Sequence, residues 1–287
     1  MGLRSLLDVA APAKLNLFLH VVGRRADGYH LLQSVFVLID WCDTLHFERR
    51  ADGRLARHDL GAALPDDDLC LRAARLLQAE SGTRLGADIS IEKHVPWGAG
   101  MGGGSSDAAS TLLALNRLWG LNLPRERLAA LGLKLGADVP FFIGGHNAFV
   151  EGIGERLTPL PVPPAWFAVV KPPAAIATSA IFGSPLLVRN TEAVILAGFL
   201  ADTAGGFGRN DLQAPAEAHC AEVGVAREIL QRRFGNARMT GSGSAVFARA
   251  GTGAEPTAAM PADLPPGWVG RMCRSQEQHP LVGWAPD

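Results

Sequence analysis

The sequence predicts a mixed α/β (α+β) protein made of two domains. Segments with the spacing of strands and segments with the spacing of helices alternate along the 287 residues. The hydrophobic share is 48% and the charged share 19%, a composition typical of a chain that packs a core. A run with four prolines, "PLPVPPAW", marks a boundary between residues 1–160 and residues 161–287.

The first half begins with a predicted β-hairpin followed by a helix. Residues 13–23 and 31–41 are rich in bulky apolar side chains, and Asp27-Gly28 between them is a turn signal, so the two segments are expected to pair. A polar run, 51–68, follows without a predicted element. The pattern then predicts a helix from Leu69 to Glu80, which Gly82 ends.

The rest of the chain alternates in the same way. A strand is predicted over 87–95, and a helix that Ser105 or Ser106 caps runs from there to about Trp119. Pro124 opens the next helix, which ends near Gly136. In the second half the pattern predicts strands at 166–171, 244–250 and 268–273, helices at 192–200 and 225–234, and a surface linker at 251–267.

Charge and cysteine content exclude several classes of protein. The formal net charge is −1, so nothing global indicates a nucleic acid or an anionic membrane as a partner. The N-terminal apolar run is too short for a signal peptide, and no segment has the apolar length of a membrane span. The four cysteines are scattered without metal-type spacing. These observations predict a cytoplasmic protein with reduced thiols and no metal centre built from cysteine.

The most informative segment is "VPWGAGMGGGSSDAAS" at 95–110, with five glycines and three serines. The pattern Gly98-x-Gly100-x-x-Gly103 fits a dinucleotide-binding fingerprint, but residues 118–125 lack the acidic residue that binds a ribose. A P-loop is excluded because no lysine follows the glycines. Two interpretations remain: a flexible surface turn, or an anion cradle in which glycine amides and a helix N-terminus surround a phosphate. The adjoining strand and helix favour the cradle.

The same segment, from Pro96 to Ala109, resembles the nucleotide loop of the GHMP kinases, which bind ATP without a P-loop. Four further blocks in matching order extend the resemblance over nearly the whole chain: "PAKLNLFLHVVGRRADGYHLLQSVF", "LGADVPFF", "MTGSGSAVFA" and "HPL". The resemblance implies a ribosomal-S5-like N-terminal domain, a ferredoxin-like C-terminal domain, and ATP with Mg²⁺ as cofactors. Substrate and ATP would meet in the cleft between the domains.

Phosphoryl transfer to an alcohol needs charge neutralisation and often a base near the hydroxyl, which a lysine and an aspartate can supply together. Lys14 and Asp138 are single charges among small and apolar residues, where an unpaired charge is costly to bury. The ordinary alternatives are a strand-edge charge for Lys14 and a turn residue for Asp138. The resemblance implies that the two form the catalytic pair.

The resemblance also implies the nucleotide site. Lys93 is expected to approach the nucleotide, with a solvated lysine as the alternative, and Ser106 to bind Mg²⁺, with a helix cap as the alternative. Asp68 stands where the resemblance leads us to expect asparagine near the adenine, and Trp97 is a bulky variant in the loop. The expected ATP-binding residues are Lys93, Pro96, Gly98, Ala99, Gly100, Met101, Gly102, Gly103, Gly104, Ser105 and Ser106.

For the acceptor, the resemblance is closest to GHMP kinases that phosphorylate a small cytidine diphosphate-linked alcohol in the non-mevalonate route to isoprenoids. Tyr29 would stack on the cytosine, His30 would hydrogen-bond its edge, and Phe182 would complete the stack. The expected substrate-binding residues are Asn16, Tyr29, His30, Thr178, Phe182, Gly241, Ser242 and Gly243. The alternatives are a GHMP kinase for another small molecule and a silent nucleotide-binding protein. A monomer or a homodimer is expected.

Overall fold

In the computed structural model, which describes residues 3–201 and 206–287, the chain begins with two long strands. Strand β1 (Ser5–Arg24) and strand β2 (His30–Arg50) are antiparallel and close at the pair Arg24 and His30. This confirms the predicted hairpin, and the strands extend further than the apolar runs indicate. The hairpin carries Lys14, Asn16, Tyr29 and His30 to one region of the molecule.

Strand β2 is the axis of the sheet. Besides β1, it pairs antiparallel with β4 (Gly86–Glu92), with β5 (Ala148–Glu151), which pairs in turn with β6 (Arg156–Pro159), and with the end of β10 (Val269–Gln276). Strand β3 (Leu55–Asp59) pairs parallel with β4, and helix α1 (Leu69–Ser81) connects the two. Strand β3 lies in the polar run 51–68 and was missed, since only one of its residues is apolar and bulky.

Helix α2 (Gly103–Leu118) lies against this sheet with twelve of its residues buried. Its alanines, serines and leucines let α1, α3 (Arg125–Leu133) and α4 (Val139–Gly144) pack closely around it. The prediction that Ser105 or Ser106 caps α2 is wrong, because the helix begins at Gly103 and Gly102 occupies the cap position in a left-handed conformation. Both serines lie inside the first turn.

The second half forms a four-stranded antiparallel sheet in the order β10, β7 (Trp166–Lys171), β9 (Val246–Arg249) and β8 (Arg238–Met239). Helix α8 (Ala221–Phe234) packs on β9 and β7. The predicted helix at 192–200 is wrong in its first turn, because the amide of Val194 donates to Gln33 Oε1 instead (2.8 Å). The remaining elements are α5 (Thr178–Gly183), α6 (Leu196–Ala201), α7 (Gln213–His219) and a 3₁₀ turn at Val282–Trp284.

The C-terminal segment returns to the first half of the chain. The guanidinium of Arg125, at the start of α3, donates to the carbonyls of Ile143, Val282 and Ala285. The imidazole-bearing His279 is buried beside Gly145, whose carbonyl accepts its amide at 2.9 Å. The division between residues 160 and 161 therefore stays a prediction, because the chain after the proline run contributes to both halves.

All four cysteines are free, as the sequence predicts. Burial raises the pKa of the Cys42 thiol to about 11, and Cys70 and Cys273 lie wholly in the core. None of the helices in the described ranges has both the length and the apolar character needed to cross a membrane.

Candidate active site at the glycine loop

The glycine loop needs its glycines for conformation and for close contact. Gly98, Gly100 and Gly102 all have φ between 62° and 72°, the left-handed region that disfavours side chains. A Cβ atom on Gly100 would lie 2.3 Å from the carbonyl oxygen of Thr240. The loop is thus a fixed structure that other backbone segments touch, and the interpretation as a flexible surface turn does not hold.

Two distant segments fasten the loop. The amides of Ser244 and Ala245 donate to the carbonyls of Gly98 (3.2 Å) and Ala99 (3.1 Å), and the amide of Lys14 donates to the carbonyl of Met101 (2.9 Å). Three sequence blocks that are far apart along the chain therefore meet at one place. Gly241, Ser242 and Gly243 form the turn between Thr240 and Ser244 and line the cavity beside the loop.

The N-terminus of α2 opens at this loop. No side chain in the described part of the chain caps it, and its first turn contains no acidic residue. The amide of Ser106 donates to the carbonyl of Gly102 (2.9 Å), so the amides before it have no acceptor within the helix. These amides and the helix dipole form a positively polarised cradle that suits a phosphate.

Two cavities meet at the loop. The larger one, of about 870 Å³, lies between the hairpin, α5 and the 241–243 turn, and the smaller, of about 480 Å³, lies between the loop, α1 and the end of β4. Gly98, Gly100 and Gly102 line both. The geometry provides two adjacent binding spaces with an anion cradle at their junction.

The candidate catalytic pair lies in the larger cavity. Lys14 Nζ is 3.5 Å from Asp138 Oδ2, although the two residues are 124 positions apart, 14 and 138. The Lys14 side chain is buried, whereas that of Asp138 is 31% exposed. Lys14 Nζ also donates to Asn16 Oδ1 (2.6 Å) and lies 4.4 Å from the centre of the Phe36 ring. One carboxylate, one amide oxygen and a ring face surround the ammonium.

Asn16 is held on all sides. Its side-chain Nδ2 donates to Ser34 Oγ (3.0 Å), and its backbone amide donates to Thr240 Oγ1 (2.9 Å). Its side-chain oxygen, Oδ1, is the acceptor for Lys14 Nζ. Asn16 also lines the larger cavity. It can therefore orient Lys14 and contact a ligand in that cavity at the same time.

The far end of the larger cavity is aromatic. The rings of His30 and Phe182 stack with centroids 5.0 Å apart and planes inclined by 28°. The Tyr29 side chain is 60% exposed at the rim, and Thr178 shares a hydrogen bond with Ser242 (2.8 Å). All five residues line the cavity, so the structure brings the sequence-predicted substrate residues together.

The side chain of Arg189 was missed by the sequence analysis. It donates from Nε to His30 Nε2 (3.1 Å) and from Nη2 to the carbonyls of Phe182 (3.1 Å) and Ser184 (2.9 Å). Burial and the nearby cations Arg189 and Arg24 lower the pKa of His30. No sequence signal distinguished this arginine, because its segment contains no motif.

The smaller cavity contains a buried charge cluster. Lys93 forms ion pairs with Asp43 and with Asp107 (2.5 Å to Asp107 Oδ2), and its side chain is only 16% exposed. Although burial acts in the opposite direction, the two carboxylates raise the pKa of Lys93. Lys93 lines the smaller cavity and is not a solvated lysine, and its approach to a nucleotide stays a prediction. Both aspartates were missed, since a lone carboxylate gives no spacing signal.

Asp107 carries the strongest electrostatic perturbation of this cluster. Burial, with the like charge of Asp43 added, raises the pKa of Asp107 to about 8, against the opposing effect of Lys93. Asp43 accepts the amides of His94 (2.6 Å) and Val95 (2.7 Å), whereas Asp107 Oδ1 is buried and has no hydrogen-bond partner in the described structure. Asp107 is thus the carboxyl that holds a proton near neutral pH.

Asp68 has a structural reason for its departure from asparagine. It is the N-cap of α1 and accepts the amide of Leu71 (3.0 Å), and it forms an ion pair with Arg57 (3.1 Å). A carboxylate serves both contacts better than an amide. Trp97 is 63% exposed, and Met101 is buried with its backbone in the loop.

The suggested metal ligand is less favourably placed. The hydroxyl of Ser106 is fully buried without a hydrogen-bond partner among the described residues, and it lines neither cavity. The same residues include no group of three or more His, Cys, Asp or Glu side chains that could hold a metal ion. The protein groups do not fit a self-contained Mg²⁺ site.

The chain is similar to known proteins over its whole length. Residues 68–146 match the family "GHMP kinases N terminal domain", and residues 196–259 match "GHMP kinases C terminal". The 4-diphosphocytidyl-2-C-methyl-D-erythritol kinase of Methylibium petroleiphilum is 72% identical over 287 residues, which are 99% of this chain and 100% of that protein. The same enzyme of Albidiferax ferrireducens is 58% identical over 99% of this chain and 96% of its own length.

Solved structures show the same likeness. The crystal structure of a 4-(cytidine 5'-diphospho)-2C-methyl-D-erythritol kinase has a TM-score of 0.73 at 38% identity, covering 84% of this chain and 89% of that one. The homoserine kinase of Cytophaga hutchinsonii has a TM-score of 0.67 over 96% of this chain and 95% of its own, at 14% identity. The second likeness extends to the fold alone.

Proposed function

Since this chain belongs to the GHMP kinases, and within them to the family of the 4-diphosphocytidyl-2-C-methyl-D-erythritol kinases, we propose that it phosphorylates the 2-hydroxyl of 4-diphosphocytidyl-2-C-methyl-D-erythritol with ATP. The predicted GHMP kinase fold, with its N- and C-terminal parts, is confirmed. The observation that carries the proposal is the meeting of two cavities at one glycine loop, with Lys14 and Asp138 on the acceptor side.

In this proposal the smaller cavity receives the adenosine and the loop receives the phosphates. The amides of the first turn of α2 and the glycine amides neutralise phosphate charge without a lysine from a P-loop. Gly98, Gly100 and Gly102 line both cavities, so their backbone can face phosphate oxygens from either side. The space that their side chains would need is taken by Ala175, Thr240 and Phe142, which hold the loop in this shape. The γ-phosphoryl group then points toward Lys14.

The acceptor alcohol binds between Asp138 and the loop. The Asp138 carboxylate accepts the proton of the hydroxyl as the oxygen attacks the γ-phosphorus, and the proton ends on Asp138 Oδ2 or Oδ1. The bond from that phosphorus to the β,γ-bridging oxygen breaks, and ADP leaves with the bonding electron pair. The ammonium of Lys14, 3.5 Å from the Asp138 carboxylate, stabilises the charge that develops on the transferred group. Asn16 keeps that ammonium in place through its side-chain oxygen.

We propose that Mg²⁺ arrives bound to the phosphates of ATP, where it shields their charge, as is usual for this ion. No step above depends on a protein-bound metal. The reduced thiols and the use of ATP support a cytoplasmic enzyme with a small-molecule substrate, and monomer and homodimer remain the two proposed states.

The substrate assignment can be tested by following ADP release. We expect turnover with the cytidine substrate, and at least 100-fold lower kcat/KM with mevalonate, homoserine and galactose, because only the cytidine substrate fills the aromatic end of the larger cavity. Preferential turnover of one of the other alcohols would identify another GHMP kinase activity. ATP binding without turnover of any of them would identify a silent nucleotide-binding protein.

The assigned base can be tested with Asp138→Asn. We expect kcat to fall about 10²- to 10⁴-fold, since an amide cannot take the proton, while the Kd for ATP changes less than threefold. Asp263→Asn, an exposed change of the same charge in the 251–267 linker, is the control and should leave kcat unaltered. Unchanged turnover in Asp138→Asn would remove the proposed base.

A further inference from the structure

We propose that Arg189 is a positioning residue that fixes the tautomer of His30 and thereby makes the site select cytosine over uracil. The inference rests on the proposed function, because it concerns the base that occupies the aromatic end of the larger cavity. Arg189 itself is not among the residues that line that cavity. Its effect on a ligand must pass through His30.

The guanidinium of Arg189 uses four of its five N–H groups in this corner of the protein. Besides the contact from Nε to His30 Nε2, Nη1 donates to the carbonyl of Leu187 (3.0 Å), and Nη2 donates to the carbonyls of Phe182 and Ser184. The planar fork therefore has one orientation, set by three backbone oxygens. A side chain held in this way presents its Nε–H to His30 at a fixed position.

A guanidinium has only donors and does not lose its proton, so His30 Nε2 must be the acceptor in this contact. A neutral imidazole that accepts at Nε2 carries its hydrogen on Nδ1. A second proton on the ring would set N–H against N–H across 3.1 Å. Arg189 therefore excludes both the opposite tautomer and the imidazolium, and the lowered pKa of His30 agrees with this.

The Nδ1–H of His30 is available to a ligand. No hydrogen bond among the described residues uses Nδ1, and the ring lies in the cavity wall, stacked on Phe182. The carbonyl of Phe182 accepts from the same guanidinium, so Arg189 fixes the stacking partner and the hydrogen-bonding ring together. The result is a rigid aromatic surface with a single donor at its edge.

A single fixed donor distinguishes the two pyrimidines. N3 of cytosine is a hydrogen-bond acceptor, whereas N3 of uracil carries a hydrogen and is a donor. A donor that faces N3 therefore binds cytosine and leaves two donors opposed when uracil is present. Rejection of the wrong partner by such a mismatch is stronger than the gain from the correct hydrogen bond alone.

The tautomer can be measured directly in the full chain with ¹⁵N-labelled histidine. In the wild type we expect His30 Nε2 to give the signal of an unprotonated ring nitrogen and Nδ1 that of a protonated one. In Arg189→Met the Nε2-protonated form should become detectable and the pKa of His30 should rise. Arg189→Lys, which retains a cationic donor, should partly restore the wild-type signals. Protonated Nε2 in the wild type would overturn the proposal.

The same variants are then tested for base selection. For Arg189→Met we expect an approximately 10-fold higher KM for the cytidine substrate, unchanged kcat and KM for ATP, and a loss of at least 10-fold in the preference for the cytidine over the uridine substrate. Arg233→Met, on α8, is the matched control and should change none of these values. An unaltered cytidine-to-uridine preference, or equal losses for ATP and substrate, would overturn the assignment.

Binding of cytidine 5'-diphosphate and uridine 5'-diphosphate by calorimetry separates the two proposals. If the wild type binds the cytidine nucleotide in preference and Arg189→Met does not discriminate, the role of Arg189 stands even where the alcohol is not phosphorylated. If the wild type phosphorylates the alcohol but binds both nucleotides equally, the proposed function stands and the role of Arg189 is wrong.

Discussion

Lys14, which is buried, and Lys93, whose side chain is 16% exposed, lie on opposite sides of the glycine loop, and their surroundings differ. Lys93 lies between the carboxyl groups of Asp43 and Asp107, so its charge is balanced within the protein. Lys14 has an amide oxygen at 2.6 Å and one carboxylate at 3.5 Å, and it faces the larger cavity. Burial alone therefore does not indicate catalysis. Lys14 faces a cavity in which its positive charge can still attract an anionic ligand, and it is therefore the lysine that fits phosphoryl transfer.

The largest expected effect comes from removing the charge of Lys14, on the side of the loop that faces the larger cavity. Lys14→Met should lower kcat by about 10³-fold or more, because the γ-phosphoryl group loses its cation in a cavity where the cation is pre-positioned. The free energy of unfolding should change by less than about 2 kcal/mol, since Asp138 is partly exposed and remains hydrated. ADP-release kinetics and urea denaturation measure the two quantities. A folded Lys14→Met variant with near-normal kcat would contradict the proposal that Lys14, unlike Lys93, takes part in phosphoryl transfer.

Replacing Lys93 should instead lower stability more than turnover. Lys93→Met leaves the buried carboxylate of Asp43 without its cation and beside the carboxyl of Asp107, so the free energy of unfolding should fall by about 3–5 kcal/mol. Molecules that remain folded at low temperature should retain kcat within about 10-fold. Urea denaturation and turnover at 10–15 °C check both statements. If Lys93→Met is as stable as the wild type but inactive, Lys93 belongs with Lys14 in the chemistry.

The surroundings of Lys14 were predicted better from the sequence than those of Lys93, for a physical reason. Lys14 and Asp138 both stand in small and apolar surroundings, so each required a partner, and the resemblance joined them across the fold. The partners of Lys93 lie 50 and 14 positions away on β2 and α2, where Asp43 and Asp107 look like ordinary polar residues. Only the antiparallel pairing of β2 with β4 brings Asp43 beside the end of β4.

The same limit applies to the elements. The hairpin, α1 and β4 were predicted because their residues alone determine them, by alternation, turn signals and a glycine stop. The start of α2 was placed wrongly, since a serine cap is the usual signal and here the closeness of Lys14 and Phe142 to Gly102 decides where the helix begins. Arg189 was missed because its contacts are to backbone carbonyls and one imidazole, which no motif encodes.

The smallest expected effect is on how the free energy of unfolding depends on pH, through the proton held by Asp107 in the cluster of Lys93, Asp43 and Asp107. The pKa of Asp107 is raised to about 8, above the ordinary value near 3.8, so between these pH values the folded protein binds a proton that the unfolded chain has released. This part of the stability is full below pH 3.8 and is lost as pH rises toward 8. An amide has no proton to lose, so Asp107→Asn removes this pH dependence, and the stability of the variant relative to the wild type should rise by about 1–3 kcal/mol between pH 5 and pH 9.

Asp43→Asn is the informative partner of that variant. Asp43 accepts two backbone amides besides pairing with Lys93, and an amide group, with one oxygen instead of two, cannot serve all three donors. It should therefore destabilise the protein at both pH values, whereas the stability of Asp107→Asn relative to the wild type rises between them. Urea denaturation at pH 5 and pH 9 gives the comparison. A response to pH that is the same in the two variants would contradict the assignment of the raised pKa to Asp107.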